Sequence, residues 1–346
     1  MAANVPPTTL PKPPLGIIDS ITSGFEVVNG RLVLAALPLA LDLFLWLGPK
    51  LSIKPLVPPV LSGLEFLYNY GGDQATAQGF DQVRAWLTQF GNQYNVFSAL
   101  STPALGLPSF MVDRMPDAVP AGLSSMVVPV NSPFVYVALW TLFTVGGLFL
   151  AALYFGSIAQ QVSAKRLDLL KLARQVWVDW VRLTLFAVLA TAVLAVVMLP
   201  LMMIGGVMIQ LVPLLGALVS ALAFTFAMWL IFYLVFTVQG IVLARRGLFS
   251  ALFDSLRLVH GSLPATAGLY GLVLIINWGL NVLWNLAPAA SWVMLAALGG
   301  HALVATALVA ATFVFYQDRV RWWQEMRAAR AAGLLSGARP PLRRTR

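Results

Sequence analysis

The chain has no cysteine and only two histidines, His260 and His301, in 346 residues. The first absence excludes disulfides, thiol nucleophiles, iron–sulfur clusters and cysteine-held zinc. The second leaves little room for a multi-histidine metal site, and a lone mid-membrane histidine is a poor haem ligand. Charge is scarce as well. Asp, Glu, Lys and Arg make up 10% of the residues, against about 25% in soluble globular proteins. From Leu183 to Ala244 there is no charge at all. No Walker loop, Gly-x-Ser-x-Gly elbow or His-Glu-x-x-His pair occurs. Catalysis is therefore the least supported class, and neither an enzyme nor a cofactor is expected. A membrane enzyme would require acidic loop residues such as Asp73 or Asp81 to hold a metal.

What the chain has instead is long apolar runs. A hydrocarbon core needs about 20 apolar residues per crossing helix, and a backbone in lipid must satisfy its own hydrogen bonds. The run 183–244 therefore suits two helical crossings, with a turn expected among Gly205, Gly206, Gln210 and Pro213. Residues 258–317, uncharged apart from the histidines, suit two more. Their turn is marked by Asn285, Pro288 and Ser291, with Trp284 and Trp292 as interfacial anchors. A further crossing is expected from Pro133 to about Gly156. The first runs from Leu32 to about Gly48, interrupted by Pro38 and Asp42. The fold class expected is all-α, a polytopic bundle of six transmembrane helices with amphipathic interfacial elbows.

Between the crossings the pattern is amphipathic. Residues 1–14 are proline-rich and read as an extended tail rather than a signal peptide. Ile17, Ile18, Ile21, Phe25 and Val28 recur at helical spacing, which suggests a helix in the headgroup plane before the first crossing, the two spanning 15–48. Elbows of the same kind are expected at 165–180 and 245–260, within a membrane block covering 132–332. The polar connection 49–131 should hold two short helices. One lies near Val60 to Tyr70 and the other carries Phe80, Val83, Trp86, Leu87 and Phe90 on one face.

Of 22 Lys and Arg, 18 lie on the side of the termini if there are six crossings. By the positive-inside rule the termini and both elbows are cytoplasmic and the 49–131 loop is outside, in a bacterial inner membrane. A net charge of +9 then needs no nucleic acid. Lys165, Arg166, Arg245, Arg246, Arg319, Arg321 and Arg327 are candidates for anionic-lipid contact, each worth about 1 kcal/mol near the surface. The basic tail 333–346 extends this cluster. It could also dock another subunit of a membrane complex. Ala164-Lys165-Arg166 and Ala244-Arg245-Arg246 sit eighty residues apart. The chain can be parsed as three parallel units starting near 15, 165 and 247, although any six-helix protein has two basic loops on one side.

Asp42 is the one acid inside a crossing. It lies about 16 Å past Arg31 at 1.5 Å per residue, where an ionised carboxylate facing lipid costs roughly 2.5 kcal/mol or more. It should face the bundle, pair with a donor or stay protonated. His301, at about 15 Å from the opposite turn, is the candidate partner. The pair reads as a proton-coupled or ligand site, or as a structural polar clasp, which we favour. Asn277, Asn281 and Asn285 share one helical face and could line a polar cavity or bind helices together.

The segment Gln239-Gly240-Ile241-Val242-Leu243-Ala244-Arg245-Arg246-Gly247, followed by Ala251 and Ser255-Leu256-Arg257-Leu258-Val259-His260-Gly261, resembles a recurring pattern. It is similar to the six-helix membrane domain attached to some bacterial glycerophosphoryl diester phosphodiesterases, and to stand-alone relatives of that domain. Tyr316-Gln317-Asp318-Arg319 is close to the closing motif of that domain, with Arg one position early. The resemblance implies a fold and a membrane location. The chain has no room for the phosphodiesterase barrel, so that activity is not implied. Two readings of function remain. One is a non-catalytic scaffold or accessory subunit organising lipid or a membrane complex. The other is a small transporter or channel using Asp42, His301 and the asparagine face.

Overall fold

The computed structural model describes residues 12–69, 74–102, 105–112, 114, 119–120 and 126–332. The start of the proline-rich tail, Asp73, and the tail arginines 339, 343, 344 and 346 lie outside the described residues. The elements are, in order, α1 (Ile17–Asn29), α2 (Ala36–Leu47), β1 (Lys50–Ser52), α3 (Val57–Asn69), α4 (Gln74–Gln93), β2 (Val127–Pro129), α5 (Pro133–Ala164), α6 (Leu169–Leu211), α7 (Pro213–Tyr233), α8 (Thr237–Val242), α9 (Leu248–Gly261), α10 (Leu263–Trp284) and α11 (Met294–Ala331). The all-α expectation agrees with this, apart from a two-stranded parallel ribbon of β1 and β2 across the base of the long connection.

Five stretches are long and apolar enough to cross a membrane: α5, α6, α7 continued by α8, α10 and α11. A sixth exists if α1 and residues 32–47, bent by 96°, count as one span. Length and apolarity thus mark a multi-pass membrane protein. The start signals are chemical. Asp168 caps α6 by accepting from the Lys171 amide at 3.0 Å, and Pro133 and Pro213 occupy first-turn positions where no amide is required.

Helix α11 is the central post: 61% of its most apolar stretch is buried, against 6% for α6 and for α7. Small residues make this possible. Ala302, Ala305, Ala307, Ala310 and Ala311 are all buried, and neighbouring backbones approach closely over such positions. At Gly24 a β-carbon would stand 2.4 Å from the Ala307 carbonyl oxygen and 2.6 Å from the Ala311 nitrogen. Helix α1 therefore packs backbone to backbone on α11. Its N-terminus is tied there too, with the Leu15 amide donating to Asp318 at 2.8 Å.

Three expectations need correction. Residues 169–180 form no separate elbow, because α6 runs unbroken for 43 residues. Its buried stripe, Leu172, Val176, Leu183 and Phe186, passes through Trp180 without interruption, so nothing there favours a break. The other elbow is a separate helix, α9, which ends at Gly261, and α10 starts directly after Ser262 with Pro264 in its first turn, where no amide partner is required. Gly205 and Gly206 do not turn the chain. They lie within α6, where a β-carbon on Gly205 would stand 2.5 Å from the Ser220 hydroxyl, so that glycine serves close packing and the turn contracts to Val212. Finally, the first crossing is short. A 3-10 turn at Leu32–Ala35 leads into the 12-residue α2, which spans about 18 Å at 1.5 Å per residue.

Candidate functional site

Asp42 sits in mid-α2, fully buried. The long connection returns to meet it. After the 3-10 segment Val96–Ser101, the chain 105–112 folds inward and buries Leu107, Phe110 and Met111 in the same apolar core as Leu41, Leu45 and Trp46. Two hydroxyls hold that loop: Ser98 donates to the Val112 carbonyl at 2.7 Å and Ser101 to that of Leu107 at 2.6 Å. Oδ1 of Asp42 then accepts from the Ser109 hydroxyl at 2.5 Å and from the amides of Phe110 and Met111 at 2.9 and 3.1 Å. Irregular backbone buried away from water must have its polar groups satisfied, and Asp42 supplies the acceptor.

His301 on α11 places Nδ1 3.6 Å from Asp42 Oδ2. That is a close electrostatic approach but too long for a hydrogen bond, and neither atom has a hydrogen-bond partner. The Phe110 ring lies 5.5 Å from the imidazole, and the Arg114 guanidinium lies over that ring at 3.9 Å. The structure brings together the two residues that depth alone had matched. Sequence reasoning missed Ser109, Phe110 and Met111. The available signal was the apolar run Leu107-Pro108-Ser109-Phe110-Met111 inside an otherwise polar connection.

The asparagines do not act together. Asn285 donates to the Asn281 carbonyl of its own helix at 2.7 Å, Asn281 Oδ1 is unpaired, and of the three Asn277 alone lines the cavity beside α10. Among the described residues they make no hydrogen bond to another helix. The cavity, about 560 Å³, lies between α10, α11, α5, the inward loop and the chain at 235–239. Neither Asp42 nor His301 lines it.

At 234–236 the helix of α7 breaks before α8, and Ser255 of α9 repairs the gap. Its hydroxyl donates to the Tyr233 carbonyl at 2.7 Å and accepts from the Phe236 amide at 3.1 Å. Ser255 is the centre of the short motif noted above, and it is fully buried.

The basic residues separate into two groups. Lys165, Arg166, Arg321 and Arg327 are exposed. Arg246 pairs with Asp254 at 3.3 Å, and Arg245 binds Asp179 and Gln175 across to α6. Arg319, 7% exposed, lies over the Phe315 ring at 4.6 Å and donates to the Leu15 carbonyl at 3.3 Å. It is an internal clamp on the N-terminal segment, not an open surface cation. Lys165 and Arg245, the equivalent residues of the eighty-residue spacing, both take a left-handed backbone, with φ of 52° and 56°. Among the described residues no three His, Asp or Glu side chains converge.

Comparison with known proteins returned no matching family model, no matching curated protein and no matching solved structure.

Proposed function

We propose that the protein is a non-catalytic integral membrane protein, a scaffold or accessory subunit that organises lipid or a membrane complex. In this reading it has six crossings in a bacterial cytoplasmic membrane, both termini cytoplasmic and the 49–131 loop outside. The first crossing is the bent α1–α2 unit, and the stand-alone relatives of the phosphodiesterase membrane domain are its kin. Exposed Lys165, Arg166, Arg321 and Arg327 meet anionic headgroups.

One observation carries the reading. The one acid–base pair at membrane depth is spent on structure: Asp42 is fully buried, His301 is 7% exposed, and three donors from the 109–111 loop occupy one carboxylate oxygen. A transport site must be reached by its cargo from at least one side, and neither residue lines the 560 Å³ cavity.

The test is purification in mild detergent from the native membrane, followed by identification of co-purifying proteins and lipids. A stoichiometric protein partner or a retained anionic lipid is the expected result. Proton-coupled uptake in proteoliposomes that Asp42→Asn abolishes without unfolding the protein would replace the scaffold reading with the transporter. Because the chain has no cysteine, single cysteines introduced at Lys165, Arg246 and Arg84 test topology without background labelling. Arg84 should react from the side opposite to the other two.

A further inference from the structure

The cavity beside α10 has a chemistry of its own. Its walls are mostly aliphatic and aromatic, including Val235, Val238, Val273, Leu308 and Phe313, and no Lys, Arg, Asp, Glu or His lines it. At about 560 Å³ it lies within the roughly 300–1,000 Å³ of small-molecule sites. Leu274, on its rim, is 66% exposed on a helix that is long and apolar enough to cross a membrane. The mouth therefore opens sideways, where lipid chains lie.

Deep in this space sits Gln239, 5% exposed. Its Nε2 donates to the Thr312 hydroxyl at 2.9 Å, and that hydroxyl donates its own proton to the Val309 carbonyl at 2.7 Å. The Thr312 oxygen can only accept from Gln239, so the amide's orientation is fixed. The Tyr270 hydroxyl is in hydrogen-bonding reach of the Gln239 and Thr312 side chains, yet Gln239 Oε1 itself is left buried with no hydrogen-bond partner. An unpaired buried carbonyl costs about 1–3 kcal/mol, and a bound group explains such an atom. The group must donate a hydrogen bond, because Oε1 can only accept. It must be uncharged, because nothing in the wall would balance a charge in so dry a place.

We propose that this cleft binds a lipid with an uncharged hydroxyl headgroup, of the diacylglycerol type. The hydroxyl donates to Gln239 Oε1, and the tails pass out over Leu274 into the bilayer. Thr312 and Tyr270 complete the polar floor.

The test uses the full-length protein in phosphatidylcholine nanodiscs with a diacylglycerol carrying a photoreactive diazirine in one chain. Saturable labelling should map to peptides of α10 and α11 between residues 270 and 313. Unlabelled diacylglycerol should compete at least tenfold better than phosphatidylglycerol. Gln239→Leu should cut labelling about tenfold. Should that variant fail to fold, Leu274→Trp decides: it is on the exposed rim, blocks the mouth, and should give a similar loss with unchanged thermal unfolding. Non-saturable labelling concentrated on the α6–α7 hairpin, equal competition by phosphatidylglycerol, or undiminished labelling of Leu274→Trp would each overturn the proposal. None of these results bears on the co-purification test above, so the two ideas fail separately.

Discussion

Replacing Asp42 by alanine removes the acceptor for three donors at once: the Ser109 hydroxyl and the amides of Phe110 and Met111. The hydroxyl can rotate to another partner. The Phe110 amide cannot, since that residue is 5% exposed in the apolar core, while the Met111 amide keeps only its longer bond to the Ser109 hydroxyl oxygen at 3.3 Å. An orphaned buried amide costs about 1–3 kcal/mol, so Asp42→Ala should lose at least that amount through Phe110. Ser109→Ala alone should lose about 1 kcal/mol and more than that in the Asp42→Ala background, because the two side chains share the Met111 amide and only one of them is then left to accept from it. Equilibrium unfolding in mixed micelles, followed by the fluorescence of the eleven tryptophans, measures all three variants. A loss below about 1 kcal/mol for Asp42→Ala, or strict additivity with Ser109→Ala, would refute the clasp.

Other substitutions test other joints. Ser255→Ala strands the Tyr233 carbonyl and the Phe236 amide, and should cost about 2–4 kcal/mol in the same unfolding assay. Arg245→Ala leaves the Asp179 side chain, only 2% exposed, without its cation. A drop of about 3–5 kcal/mol is expected, and a smaller drop on changing Asp179 and Arg245 together would locate the cost in the stranded carboxylate. Gly24→Leu must push α1 off Ala307 and Ala311, and should appear as a monodisperse peak lost from size-exclusion profiles. Lys165→Gly should raise stability by about 0.5–1 kcal/mol, since the position is exposed and left-handed.

Much of the architecture was readable because hydrocarbon is a strict solvent. Apolar runs such as 183–244 could only be helices, and depth counted from their ends put Asp42 and His301 at one level. The short helices of the outer connection were readable from the spacing of residues such as Phe80, Trp86 and Phe90. What stayed hidden depends on contacts between distant segments. The apolar run around Ser109 signals burial, but nothing in it names as its partner a carboxylate 67 positions away. Ser255 looked like a motif letter until the break at 234–236 gave its hydroxyl two backbone partners. Arg319 counted as a surface cation in the sequence because only packing reveals that the Leu15 carbonyl and the Phe315 ring enclose it. The elbow at 165–180 was misjudged for a related reason: amphipathic spacing reports which face is buried, and is silent on whether the helix stops.

The unbroken α6 has a consequence for the surrounding bilayer. Its uncharged part, Leu183 to Leu211, is about 44 Å long at 1.5 Å per residue, and typical hydrocarbon is only ~30 Å thick. The hairpin it forms with α7 has few protein neighbours to prop it upright, so it leans steeply, stretches nearby acyl chains, or does both. If α2 crosses as well, it lies at the opposite extreme and is too short for the same slab. On the six-crossing reading the protein would impose a thick annulus on one flank and a thin one on the other, and membranes of uneven thickness should hold it most comfortably.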